Sequence, residues 1–416
     1  MNKALAAMII GILGLSLFLM ITPNMMAQQS NVDWWPMFRQ NLMHTGYSTS
    51  TAPNTNQILW NYATGGSVYS CPAVTNGIVY IGSTNDNIYA LNATTGTQIW
   101  NYVTGGWVFS SPAVANDIVY IGSADHNVYA LNTLTGAQIW NYTTGNQVVS
   151  SPAVVNGMVY VGSGSGIFYA FDALTGNKMW NFTTGYFIWS SPAVANDIVY
   201  IGSEDNNVYA LNATTGTQIW NYTTNYHANS SPAVANDIVY IGSDDNNIYA
   251  LNATTGAQIW NYTTGGYVES SPAVSGGIVY VGSYDNKTYA LNATTGAQIW
   301  NYTTGNQVYS SPAVANDIVY IGSSDTNVYA FGSPPIPPPT SASTTIPTGT
   351  PTIHASSSTP TPTPTSTPIQ TTTPTPIPEF PSTAVLLALS CFIALSVILA
   401  KKILTKRTLT TSLHIG

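Results

Sequence analysis

Charge is scarce in this chain. Only 6% of residues are Asp, Glu, Lys or Arg, and 16 acids outnumber 8 Lys and Arg for a net charge of −8. Between residues 51 and 332 fourteen acids face only Lys178 and Lys287, a balance of −12. Such a surface repels polyphosphate and offers no basic stripe, which excludes nucleic acid as a partner. Cysteine is equally rare: Cys71 and Cys391 are the only two, so neither a disulfide framework nor a Cys/His zinc spacing can be built. Cys71 replaces the Ser of other units, SCPAV against SSPAV, and is expected as a buried, inert thiol. Uneven spacing is also missing. Trp recurs at 60, 100, 140, 180, 220, 260 and 300, a period of 40 residues without insertion or deletion.

What is present is one unit repeated. In its first copy four β-patterned runs alternate with turn residues: SVYSCPAV (67–74), GIVYIGS (77–83), NIYAL (87–91) and QIWNYV (98–103). The first turn is read as Thr75-Asn76, or as Asn-Asp in four other units. The last is Asn-Ala-Thr-Thr-Gly, where Asn bonds its own backbone and Gly96 takes positive φ. A four-stranded sheet cannot bury both faces alone, so copies stack around an axis as the blades of an all-β propeller. The recurring Trp, with Tyr80, Tyr89 and Tyr102, is assigned to packing between blades, worth ~1.5–3 kcal/mol per large buried side chain. Seven second strands occur, but the last unit stops at Phe331 without its fourth run, whereas QILWNYAT (57–64) is a fourth run with no blade before it. The expectation is a seven-bladed propeller over 53–332, its last blade completed by that N-terminal strand as three plus one.

The ends differ in kind. Lys3, the apolar run Ala4–Ile21 and Ala27 read as a signal peptide over 1–27. Residues 28–52 carry Arg39, His44 and several aromatics and are expected to clasp the propeller, Arg39 and His44 being structural. Residues 333–378 form a Pro/Thr/Ser linker, stiff and extended. Residues 379–416 follow, with an apolar stretch at 384–400 of spanning length and then Lys401, Lys402, Lys406 and Arg407. That order places a membrane helix with its basic tail inside and the propeller outside.

The YALNATTGTQIW words of the repeat resemble the PQQ-like β-propeller family, and the segment from Trp35 to Gly46 resembles the opening of its secreted members. The resemblance implies the propeller fold. It spans quinone-dependent dehydrogenases, assembly scaffolds and surface proteins, so fold alone assigns no activity. Pro378, Glu379 and Phe380, ahead of the apolar stretch and basic cluster, resemble a PEF-type sorting signal of archaeal surface proteins. That implies an archaeosortase-like transpeptidase as partner and a lipid or helix anchor on the extracellular face of the membrane.

Candidate chemistry is sparse. The quinoprotein resemblance implies PQQ, calcium, an Asp base and, commonly, adjacent cysteines; no adjacent cysteines occur, and Asp117, Asp197, Asp237 and Asp317 share one turn position. No catalytic residue or cofactor is assigned, and a PQQ/calcium-dependent oxidoreductase is the rival reading. Asp244 and Asp245 form the pair richest in metal ligands, but a hard cation needs six or more converging oxygens, so turn chemistry is preferred. Sequons stand at Asn92, Asn141, Asn181, Asn212, Asn221, Asn229, Asn252, Asn261, Asn286, Asn292 and Asn301. Asn132, Asn61 and Asn101 occupy the same repeat positions without a sequon, so turn chemistry accounts for part of that count.

The informative residues are those that vary. The connection into each first strand runs GGSVY, GGWVF, GNQVV, GYFIW, NYHAN, GGYVE and GNQVY, and the turn between second and third strands varies too. Both emerge on one face. Trp107, Phe109, Tyr186, Phe187, Trp189, Tyr226, His227, Tyr267 and Glu269 are therefore expected around the channel mouth as a binding site. Aromatic rings and neutral polar groups suit a surface glycan, peptide or protein ligand. A passive envelope component with no ligand is the third reading.

Overall fold

Two turns shape every unit. Asn116 and Asp117 both take positive φ, 51° and 60°, the geometry a two-residue hairpin requires and these residues tolerate. In blade 1 this turn is Asn76-Gly77, not Thr75-Asn76, because Thr75 pairs with Ile78 across the hairpin. At the other turn Asn132 Oδ1 accepts the N–H groups of Leu134 and Thr135. Gly136 follows at φ 68°, and a Cβ there would stand 2.7 Å from the Trp100 ring. Glycine is needed at that point for conformation and for space.

The computed structural model describes residues 36–48, 58–315 and 317–332. They form seven four-stranded sheets, the propeller expected. Blade 1 comprises Ala73–Thr75, Ile78–Gly82, Asn87–Asn92 and Gln98–Val103, and blades 2 to 6 repeat it. The signal segment 1–27, the linker 333–378, the sorting segment and the 384–400 stretch lie outside the described residues. Among the described residues no helix is long and apolar enough to cross a membrane.

The core lies between blades rather than within them. Ile78, Tyr80, Ile88 and Trp100 of blade 1 pack with Val119, Ile121, Tyr129 and Leu131 of blade 2. At the five interfaces from blade 1 to blade 6 one backbone oxygen collects two donors: Ala253 O accepts from Trp220 Nε1 at 2.9 Å and from Tyr200 Oη at 3.1 Å. The same pair of donors meets Thr133 O, Ala173 O, Ala213 O and Ala293 O.

The first strand is shorter than expected, three residues rather than 67–74. Pro72 has no N–H to donate, and serines take over the ladder's work. Ser110 Oγ accepts from Gly122 N and donates to Ser150 O in the next blade. Ser151 Oγ accepts from Ser111 N, and such bonds run blade to blade from Cys71 to Ser311. Among the described residues the belt does not continue from Ser311 back to Cys71. Cys71, at the open end of this belt, is exposed, not buried as expected.

Closure also differs from expectation. Blade 7 gains an N-terminal strand, but it is Tyr47–Ser48, parallel to the innermost strand Ala313–Ala315. Residues 58–64 form no strand. They keep only the side-chain anchors of a fourth run: Trp60 Nε1 donates to Ala93 O at 2.9 Å, and Tyr62 bonds Gln98. In this segment the packing matches the repeat while the ladder does not.

Residues 36–48 cross the inner strands. Carbonyls of Pro36, Leu42, Met43, Thr45 and Gly46 accept N–H groups from Val114, Val194, Val234, Val274 and Val314. Arg39 is buried, donating from Nε to His44 O and from Nη2 to Pro272 O. Burial lowers its pKa to about 10, and burial with the Arg39 charge lowers His44 to about 3. His44 is therefore neutral at physiological pH.

Candidate functional site

The variable connection and the variable turn meet through backbone. Ala124 N donates to Trp107 O, Glu204 N to Phe187 O, Asp244 N to His227 O and Tyr284 N to Tyr267 O. In six of the seven connections the residue before the last is a buried apolar anchor, Val108, Val148, Ile188, Ala228, Val268 or Val308, whereas Val68 of the first is exposed. The residues on either side of that anchor are thereby turned outward. Trp107 is 56% exposed, Tyr186 51% and Trp189 40%, while Phe109, Phe187, His227 and Glu269 are half-buried.

These aromatics form three groups rather than one ring. Trp107 meets Phe109 edge-on at 5.7 Å, and Phe109 meets Tyr69 at 5.6 Å. Tyr186 stacks on Phe187 at 4.4 Å, with Trp189 6.5 Å further on. Tyr226 lies 4.1 Å from His227 and 6.3 Å from Tyr267. The third group extends through Tyr284, 5.7 Å from Tyr267, to Tyr309 at 4.3 Å. Among the described residues no ring contact joins the three groups. Tyr69, Tyr284 and Tyr309 were not among the expected site residues, although each occupies a position that varies between units.

The paired aspartates separate sharply. Asp245 Oδ2 accepts from Asn225 N and Tyr249 Oη, and Oδ1 from Asn247 N. Asp125, Asp205, Asp285 and Asp325 repeat this arrangement, so the position is a clamp between connection and turn. Burial opposes the charge on Asp125, but the donors Tyr129, Gly105 and Asn127 hold its carboxyl below the ordinary value. Asp244 has no such set. It is 6% exposed, Asn229 Nδ2 donates to its Oδ2 at 3.0 Å, and its Oδ1 has no partner. Burial, then the charge of Glu269, push it up to about 6. Burial also raises Glu204, against the opposing influence of His227 and Asn229.

Two cavities lie elsewhere. One of about 440 Å³ sits between blades 3 and 4, lined by Leu42, Met158, Met179 and Val194. One of about 300 Å³ lies where blade 1 meets blade 7, lined by Phe38, Arg39, Cys71 and Pro312. Neither contains a rim aromatic. The sequon asparagines divide by location. Asn212, Asn252 and Asn292 use Oδ1 in their turns, Asn221 and Asn261 donate to the neighbouring strand, and Asn229 is engaged with Asp244.

A family model described as outer membrane protein assembly factor BamB matches residues 46–184, 110–223, 169–271 and 264–333. Among solved structures, BamB from Moraxella catarrhalis is 22% identical with a TM-score of 0.60, covering 67% of this chain and 88% of that one. The quinohemoprotein alcohol dehydrogenase ADHIIG from Pseudomonas putida HK5 is 16% identical with a TM-score of 0.63, covering 72% of this chain and 71% of that one. At these identities the likeness extends to fold alone. No curated protein matches.

Proposed function

The chain belongs to the family described as outer membrane protein assembly factor BamB, and from that premise we propose a non-catalytic, surface-tethered binding module. Its ligand is a protein, peptide or glycan held on the variable rim. The observation that carries this reading is the contrast between frame and rim: Trp107, Tyr186, Trp189, Tyr226 and Tyr267 are each at least 40% exposed on connections whose backbone is fixed. Rigid, half-wet aromatics supply contact area at small entropic cost. A role in assembly, as the family description states for BamB, requires such a face.

A quinone and calcium centre does not fit the residues present. The clamp aspartates spend their oxygens on backbone and tyrosine donors, and among the described residues no three acidic, thiol or imidazole groups converge. Export and tethering are supported by the apolar run Ala4–Ile21, the Pro/Thr linker and the Pro378-Glu379-Phe380 segment with its apolar stretch and basic cluster. Full-length protein should be retained on isolated cell envelopes, and the triple variant W107A/F187A/W189A should lose that retention. Undiminished retention by the triple variant, with unchanged circular dichroism, would sink the proposal.

A further inference from the structure

Blades 4 to 6 place three acids at one sector of the rim. Glu204 lies in the variable turn of blade 4, Asp244 in that of blade 5, and Glu269 on the connection into blade 6. They act on one another: both Glu269 and Glu204 disfavour the charge on Asp244. Among the described residues neither lysine nor arginine answers them, and the imidazole at the sector, His227, has its Nδ1 2.6 Å from Glu204 O. Arg39 is buried and spent on the carbonyls of His44 and Pro272. Lys178 and Lys287 occupy the repeat positions of Gln138 and Asn127 in blade 2, whose side chains bond along the outer strand to Asn141 and Thr143.

A second observation lies within the sector. Asp244 is 6% exposed, yet its Oδ1 has no hydrogen-bond partner. Asn229, bonded to it through Nδ2, likewise leaves its Oδ1 buried and unpartnered. A buried carboxylate oxygen without a donor is costly, ~1–3 kcal/mol or more. Both orphans are acceptors, so the missing group is a donor. Beside them stand Tyr226, Tyr267 and Tyr284, with successive rings 6.3 and 5.7 Å apart.

We infer that this sector receives an arginine side chain from a protein ligand. The inference rests on the binding proposal above and names the ligand's chemistry. A planar guanidinium carries five donors, enough for acceptors spread over two turns and a connection, and it stacks on aromatic faces. A compact metal ion needs its oxygens converged at one point, which these acids do not provide.

The test uses full-length protein and two soluble probes, tetra-arginine and its neutral counterpart tetracitrulline, titrated by calorimetry at low and physiological salt. Wild type should prefer tetra-arginine by about tenfold or more, and both D244N and E269Q should erase most of that preference. W107A/F187A/W189A should keep the preference while losing envelope retention, which separates failure of this inference from failure of the binding proposal. Equal affinity for the two probes would overturn the inference. So would unchanged selectivity in folded D244N and E269Q, or calcium chloride binding that D244N abolishes.

Discussion

The carbonyl shared by two donors at the interfaces from blade 1 to blade 6 allows a sharp test of what holds the propeller together. Ala253 O is buried and takes two donors, Trp220 Nε1 and Tyr200 Oη. Burial pushes the Tyr200 phenol up to about 12, so its hydroxyl remains a donor at neutral pH. In Y200F one donor remains, and the cost is that of an ordinary hydrogen bond, about 0.5–1.5 kcal/mol. In W220F the other remains, and the smaller ring adds a packing loss for a total of about 2 kcal/mol. The double variant leaves the carbonyl buried and unpaired. It should therefore cost about 1–3 kcal/mol beyond the sum of the singles. Urea unfolding followed by far-ultraviolet circular dichroism, with an unchanged m value, measures that coupling directly. The equivalent cycle at Tyr240 and Trp260, which share Ala293 O, should return the same coupling. A coupling within about 0.5 kcal/mol of zero at both interfaces would show that another donor reaches the oxygen, refuting the two-donor account.

Two further outcomes follow from single positions. G256A places a methyl 2.7 Å from the Trp220 ring at φ 72° and should destabilise by about 2–4 kcal/mol. G145A, also at positive φ but with nothing within 4 Å, should cost only about 1–2 kcal/mol, and equal losses in the two variants would refute the clash. Asp244 has a folded pKa of about 6, above its ordinary 3.8, so the folded state holds the proton more tightly than the unfolded chain. Its contribution favours folding below about pH 4 and is lost as pH rises through 6. At a mouth partly open to solvent that loss is about 1–2 kcal/mol. D244N should accordingly melt higher than wild type at pH 7.5 and no higher at pH 4, by differential scanning calorimetry.

The repeat made the architecture readable because its cues are local. An Asn-Asp hairpin, an Asn turn closed by Gly136, and a Trp every 40 residues each specify a piece of geometry wherever they occur. Closure was not local. The words QILWNYAT matched the outer strands, yet residues 58–64 form no strand and keep only the Trp60 and Tyr62 anchors, while the strand that joins blade 7 is Tyr47–Ser48, which carries none of the repeat's words. The Ser-Ser-Pro words were visible but their meaning was not, since the bonds they make run to a residue 40 positions away. Asp244 and Asp245 were adjacent and looked interchangeable. Pleat and turn geometry sent one into a clamp and the other into a buried site with an open oxygen, a difference set by which backbone N–H groups each side chain reaches.

The backbone clamps also explain why variation can gather at the rim without loosening the frame. The connections into blades 2 to 7 are held by main-chain bonds, such as Ala124 N to Trp107 O and Tyr284 N to Tyr267 O, and by one buried apolar anchor each. Neither bond depends on the identity of the side chain at 107 or 267. The interface locks draw instead on Trp, Tyr, Ser and Gly at fixed repeat positions. Frame and rim are thus assigned to different atoms of the same segments: main chain and anchors for rigidity, outward side chains for contact. A binding site preorganised in this way loses little conformational entropy when occupied. It follows that exchanging GYFIW for GNQVY at 185–189 should change what the rim retains while leaving the propeller's unfolding midpoint nearly unmoved.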